Sequence, residues 1–207
     1  MDTANIARLL EPFIQLDEMR LAAISKYIDL LLKWNARINL TAIREPEEIV
    51  ERHFGESLFA AQRILAEGGV KTAIDLGSGA GFPGVPFALL APEVEITLIE
   101  SSQKKSTFLR ELIYLLGLRN VKVFSGRAES YSQSADLVML RAVEKFGEVL
   151  PLALRLLSPG GRLALLIGVS QVDLAKSLAQ VEWQEPVAIP RGHSRVLLVG
   201  TRMVKVE

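Results

Sequence analysis

Asp75-Leu76-Gly77-Ser78-Gly79-Ala80-Gly81-Phe82-Pro83-Gly84 is the stretch on which the fold turns. An apolar run, Lys71–Leu76, leads into it and a helical pattern, Pro83–Leu90, leaves it, so the glycines occupy a strand-to-helix turn. Glycine there lets the backbone take positive φ and approach a ligand closely, while the free N–H groups of the helix start face whatever is bound. A plain tight βα connection would use the same glycines, so the surrounding chain has to decide.

Outward from the turn, further runs at Glu95–Ile99, Val121–Ser125, Asp136–Leu140 and Arg162–Ile167 read as buried strands. Helical patterns at Gln103–Leu116, Lys145–Leu157 and Asp173–Ala179 alternate with them, which implies a mainly parallel sheet covered on both faces. Val187–Ile189 and Val196–Thr201 are joined by only Pro190-Arg191-Gly192-His193-Ser194, too short for a crossover helix, so a terminal antiparallel hairpin is expected. The sum is a seven-stranded sheet. Upstream, Leu21, Ile24, Ile28, Leu31 and Leu32 mark one face of an amphipathic helix, and Arg44-Glu45-Pro46-Glu47-Glu48 announces a second, with Ile49, Phe54, Leu58, Ala61 and Leu65 as its buried stripe. Gly68-Gly69 ends that region. Residues 1–68 are therefore expected to be an N-terminal helical extension and residues 69–207 the α/β domain.

With 207 residues, half of them hydrophobic, the chain has ample surface to form a core. The absence of cysteine rules out disulfides, thiolate metal sites and thiolate nucleophiles, and no metal is expected. No stretch approaches the ~20 apolar residues of a membrane span, so a soluble, cytoplasmic protein without a membrane partner is the expectation. The 24 basic and 24 acidic side chains cancel, so a polyanionic partner would need a local basic face.

Gly79-Ala80-Gly81-Phe82-Pro83-Gly84 also matches the G-x-G-x-x-G of dinucleotide enzymes, which makes an NAD-dependent reductase the rival reading. Against it, the chain lacks a Tyr-x-x-x-Lys pair and a second phosphate signature. Asp75 precedes Gly77 by two residues, where class I S-adenosylmethionine-dependent methyltransferases of Rossmann-like fold orient the amino-acid part of their cofactor. Nineteen residues beyond Gly81, Glu100 closes the second strand, where a carboxylate can accept both ribose hydroxyls of an adenosyl group. Gly126-Arg127-Ala128-Glu129, after the third strand, can meet the adenine through the backbone of Ala128 and Glu129. The parallel sheet closed by a hairpin is similar to the same methyltransferase class.

Leu32-Lys33-Trp34-Asn35, Asn39-Leu40-Thr41, Arg52-His53, the whole glycine turn, Gly126-Arg127-Ala128-Glu129 and Arg141-Ala142-Val143 together resemble one family closely: the bacterial 16S rRNA guanine-N7 methyltransferases known as RsmG or glucose-inhibited division protein B. The resemblance covers most of residues 30 to 145 and implies that S-adenosylmethionine is contacted by Asp75, Gly77, Gly79, Gly81, Phe82, Glu100, Ala128, Glu129 and Arg141. It makes Arg141, at the end of the fourth strand, the catalytic candidate facing the methyl-delivery site, with 16S rRNA, within the small ribosomal subunit or its precursor, as partner. One position departs: the fifth strand ends Leu166-Ile167-Gly168, where a lysine is expected before the glycine.

Methyl transfer from a sulfonium needs a lone pair held about 3 Å from the methyl, so positioning supplies much of the rate. Guanine N7 has that lone pair free and requires no base. The missing cysteine excludes thiolate addition to pyrimidine carbon, and no Asn/Asp-Pro-Pro-Tyr loop for exocyclic amines is present. Oxygen methylation, and small-molecule or protein substrates, stay open. Arg141 can donate to guanine O6 or to a phosphate, or serve a salt bridge. Lys104, Lys105 and Arg110, with Lys33, Arg37, Arg44 and Arg52, are candidates for a basic RNA face. His53 is read as a structural hydrogen-bonding residue, Trp34 as a packing residue, and His193 as exposed in the hairpin turn.

Overall fold

The computed structural model describes residues 1–142 and 145–204; Val143, in the run Arg141-Ala142-Val143, lies outside the described residues. The helices α1 (Thr3–Leu10), α2 (Glu18–Asn35) and α3 (Pro46–Glu48) come first, then a π-helical stretch over Ile49–Gly55 that runs into α4 (Glu56–Ala66). The α/β part follows as β1 (Thr72–Leu76), α5 (Gly84–Leu90), β2 (Glu95–Glu100), α6 (Gln103–Leu116), β3 (Val121–Ser125) and β4 (Ala135–Arg141). It continues with α7 (Phe146–Arg155), β5 (Leu157–Gly168), α8 (Val172–Lys176), β6 (Val181–Trp183), β7 (Val187–Ala188) and β8 (Arg195–Arg202).

Local chemistry accounts for the helix limits. Asp17 caps α2 by accepting from the Arg20 N–H at 2.8 Å, and Leu21, Ile24, Tyr27, Ile28 and Leu31 form its buried face. No helix is expected before α2, yet Asp2 caps α1 in the same way, accepting from the Asn5 N–H at 2.8 Å, and Ile6, Leu9 and Leu10 are buried. Ser102 caps α6, and Gly117, at φ 64, closes it in the left-handed conformation.

Strand order is β3-β2-β1-β4-β5-β8-β6, with β7 also beside β8. β1 to β5 run parallel, and β8 is antiparallel to β5, β6 and β7. The expected seven strands are therefore eight. The edge alongside β8 is made by two short pieces, Val181 opposite Arg202 and Val187 opposite Leu197, with Gln184-Glu185-Pro186 between them. Proline donates no ladder hydrogen bond, and the Trp183 ring lies over Gly200, where a Cβ would come within 2.5 Å of it.

Alternate strand residues serve the two faces. Ala73, Ile96, Leu98, Leu137, Met139 and Leu166 share one core with α1, α2, α4, α5 and α6. Ile74, Ile99, Val138, Leu140, Leu165 and Ile167 share the other with Phe146, Leu150 and Ala153 of α7 and Ala175 of α8. Ile167, where a lysine was expected, is 2 % exposed in that second core, an apolar role that isoleucine fills. The N-terminal helices are thus built into the core of one sheet face.

Candidate functional site

Strand β1 lies between β2 and β4, so the direction of winding reverses beside it and a crevice opens at the carboxyl ends of these strands. Leu76, Glu100 and Arg141 end the three strands there. The glycine turn leaves β1 with Gly77, Gly79 and Gly81 at φ 76, 56 and 94. Gly77 and Ser78 donate their N–H groups to the Ile99 carbonyl, each at 3.0 Å, which ties the turn to β2. A Cβ on Gly79 would meet only the Gly77 carbonyl oxygen, at 3.8 Å, so the space above this residue is open.

Two carboxylates shape the turn. Asp75 is fully buried and accepts from the Gly84 N–H at 2.9 Å, holding the start of α5 against the sheet, while its other oxygen has no partner among the described residues. Burial, opposed in part by that hydrogen bond and reinforced by Glu100, pushes its pKa up to about 7. Glu100 accepts from the Gly79 N–H at 2.9 Å and the Ser102 N–H at 2.7 Å, so it bridges the turn and the start of α6.

The N-terminal helices supply the opposite wall. Phe82 lies between Tyr27 of α2 and His53 of the π-helical stretch, with ring centroids 5.1 and 4.8 Å away, and Phe54 meets it edge-on at 5.0 Å. The Tyr27 hydroxyl donates to the Ala80 carbonyl of the turn. Asn35 accepts from the N–H groups of Leu40 and Thr41 and donates to the Thr41 carbonyl, and the Thr41 hydroxyl pairs with His53 Nε2 at 2.7 Å. Burial, with the Arg141, Arg52 and Arg195 guanidiniums adding to it, pushes the His53 imidazole down to about 3. It is neutral at pH 7 and a feeble base.

Behind His53, the buried Glu56 carboxylate receives three arginines: Arg52 at 3.2 Å, Arg141 at 3.2 Å and Arg195 at 3.3 Å. Arg141 also donates to the Arg52 carbonyl at 2.8 Å. The cluster sets three guanidiniums around the one Glu56 carboxylate.

These walls enclose a cavity of about 410 Å³. Of the residues singled out from the sequence, Gly77, Gly79, Phe82, Glu100 and Arg141 line it, together with Leu40, Thr41, His53 and Lys105. Asp75 and Gly81 lie beneath the turn, where a Cβ on Gly81 would come within 2.5 Å of the Tyr27 hydroxyl. Ala128 and Glu129, in a 3-10 turn after β3, do not line the cavity, and their carbonyls accept from Arg155. Of the basic candidates, Arg52 is ion-paired to Glu48 and Glu56. Trp34 packs edge-on against Phe108 and donates to Glu111. His193 is exposed. Tyr27, Glu56 and Arg195 were not singled out from the sequence; only Tyr27 carried a signal, since it continues the spacing of Ile24, Ile28 and Leu31.

A family model described as rRNA small subunit methyltransferase G matches residues 20–194. A ribosomal RNA small subunit methyltransferase G from Stenotrophomonas maltophilia is 37% identical over 195 residues, covering 90% of each chain. One from Neisseria meningitidis serogroup B is 42% identical over 144 residues, 69% of this chain and 68% of its own. Among solved structures, a SAM-dependent methyltransferase from Aquifex aeolicus is 18% identical with a TM-score of 0.59, covering 87% of this chain and 98% of that one, a likeness of fold.

Proposed function

The chain belongs to the rRNA small subunit methyltransferase G family, and from that premise we propose that it transfers a methyl group from S-adenosylmethionine to N7 of a guanine in 16S rRNA. The observation that carries this reading is that the N-terminal motifs, through Thr41 and His53 with Asn35 holding Thr41 in place, share one cavity with the glycine turn and Glu100. The residues present fit the cofactor: positive-φ glycines leave open space at Gly79, and a carboxylate stands at the ribose position of the second strand. When bound, the cofactor supplies an electrophilic methyl group on a sulfonium.

In this reading Gly77, Gly79, Phe82 and Glu100 bind it directly, with Glu100 taking the ribose hydroxyls. Asp75 and Gly81 serve through the shape of the turn, and the N–H groups of Ala128 and Glu129, whose carbonyls are taken by Arg155, meet the adenine where it extends beyond the cavity. Arg141 faces the substrate side, held by Glu56. The neutral His53 offers no strong base, which suits an acceptor whose lone pair is already free. Residues 1–68 are then the substrate-side helical extension and 69–207 the cofactor-binding domain, with rRNA in the small subunit or its precursor as substrate. Among the described residues no helix is long and apolar enough to cross a membrane.

The test is incubation with methyl-labelled cofactor and either intact small subunits or stripped 16S rRNA, followed by mapping of the modified nucleotide. Label on a guanine that blocks its N7 is expected. Label on protein or on small metabolites alone would overturn the rRNA assignment. Stabilisation by NAD(H) and not by S-adenosylhomocysteine in a melting assay would overturn the cofactor.

A further inference from the structure

On the outer side of α6, away from the cofactor cavity, Gln103, Thr107, Arg110 and Tyr114 recur at spacings of four, three and four, so they form one exposed stripe. Lys105, which lines the cavity, is in the first turn of the same helix, and Tyr114 lies roughly 13 Å farther along its axis at 1.5 Å per residue. Tyr114 is 89% exposed. It stands over a groove of about 430 Å³ where α6 meets the edge strand β3, with a floor of Ile113, Leu118, Val121 and Val123. Arg110 and Arg119 stand at its rims and Lys122 is exposed on β3 nearby. No carboxylate lines it among the described residues; Glu111, one turn away, is taken by the Trp34 indole N–H. At the helix end the Ile113 and Tyr114 carbonyls are capped by the Gly117 N–H, and Ile113 also by Leu118, and Arg110 and Arg119 flank what remains of the negative helix end.

An aromatic face, an apolar floor and flanking guanidiniums without acids match an unpaired nucleotide: the base stacks and the phosphates pair. We propose that this groove binds a single-stranded segment of the rRNA substrate, with one base stacked on Tyr114 and its flanking phosphates on Arg110 and Arg119. It lies within a few nucleotides of the base held in the cavity. The proposal rests on the reading of rRNA as the substrate and adds a second point of attachment for it.

The experiment uses the full chain and three variants: Tyr114→Ala, Tyr114→Trp and Arg110→Ala with Arg119→Ala. With stripped 16S rRNA, Tyr114→Ala is expected to raise KM roughly 5- to 20-fold, the low end of base–aromatic stacking, with a larger change in KM than in kcat. Tyr114→Trp restores it, and affinity for S-adenosylhomocysteine is unchanged. The double arginine variant lowers the slope of log affinity against log salt by about 1.4, two single-strand phosphate contacts. An unchanged KM in Tyr114→Ala, or no recovery in Tyr114→Trp, overturns the groove. A defect confined to intact subunits and missing on stripped RNA overturns it in favour of a protein partner. Titration with fluorescent oligoadenylate separates this from the substrate reading. Tighter binding by the wild type than by Tyr114→Ala, with no rRNA methylated, keeps the groove and sinks the substrate; equal binding by both sinks the groove and spares the substrate.

Discussion

Glu56 and Asp75 are both buried carboxylates, and their surroundings set them on opposite sides of the stability balance. Three guanidiniums reach Glu56, but Arg52 is 45% exposed and adds little, so the pairs that count are with Arg141 and Arg195 at 8% and 19%. Removing the carboxylate leaves those two cations buried without a counter-ion, which costs about 3 kcal/mol or more. Glu56→Gln is therefore expected to lower the free energy of urea unfolding by about that amount, and Arg52→Ala by less than ~1 kcal/mol. Equal effects would show that the cluster is not held as described. Asp75 makes no ion pair among the described residues, and burial, only partly opposed by its hydrogen bonds and the more distant Arg141, raises its pKa to about 7. The unfolded chain gives up this proton near pH 4 and the folded chain keeps it to near 7, so the folded state binds more protons between those values and stability falls as pH rises. The loss runs at up to about 1.4 kcal/mol per pH unit. Asp75→Asn, which keeps an oxygen for the Gly84 N–H, should flatten the dependence of Tm on pH between 4 and 7 in the cofactor-free protein. An unaltered pH profile would mean that Asp75 does not titrate there.

At the level of elements, glycine does two separate jobs, and substitution tells them apart. Gly117 ends α6 at positive φ in open space, so Gly117→Ala meets only backbone strain, about 1 kcal/mol. Gly84 has no such φ, yet a Cβ there would lie 2.5 Å from Leu98 Cδ2 and 2.6 Å from Asp75 Oδ2. Helix α5 would have to lift from β1 and β2, carrying the glycine turn with it, at a cost of about 1–3 kcal/mol. Gly84→Ala should thus lower both Tm and affinity for S-adenosylhomocysteine, while Gly117→Ala lowers Tm alone; loss of ligand binding in both would contradict the division. Element identity was widely legible, because α6 with its serine cap and closing glycine follows the sequence periodicity residue for residue. The stripe Ile49, Phe54, Leu58, Ala61 and Leu65 carried a subtler message. Its first step is five residues and the rest are four, three and four, and the π-helical stretch lies over that first step. Read as an ordinary helix, the spacing hides the widened turn that brings His53 against Phe82. Strand β6 was lost for the opposite reason: three residues leave no periodicity to read.

For the molecule as a whole, what stayed illegible is what long-range packing creates. Glu100 and the glycines could be matched as parts of one strand-turn-helix unit, whereas Glu56 meets partners 85 and 139 positions away, and no local pattern announces such a cluster. The same packing bears on the division at residues 68 and 69. Tyr27, Ile28, Phe54 and Leu58 belong to the core that also contains Phe82, Val85, Leu98 and Met139, so the helical extension supplies one wall of the cavity and much of the cover of one sheet face. Division of labour between the two parts then does not mean independent stability. Without residues 1–68, the fragment 69–207 would expose a continuous apolar face, and most of the burial that offsets chain entropy on that side would be lost. Thermal unfolding of the full chain is therefore expected as a single transition with calorimetric and van't Hoff enthalpies that agree. The 69–207 fragment should bind a hydrophobic dye and lack a cooperative transition. Two resolved transitions in the full chain, or a fragment that melts cooperatively and binds S-adenosylhomocysteine as the full chain does, would mean that the α/β part builds its cofactor site unaided.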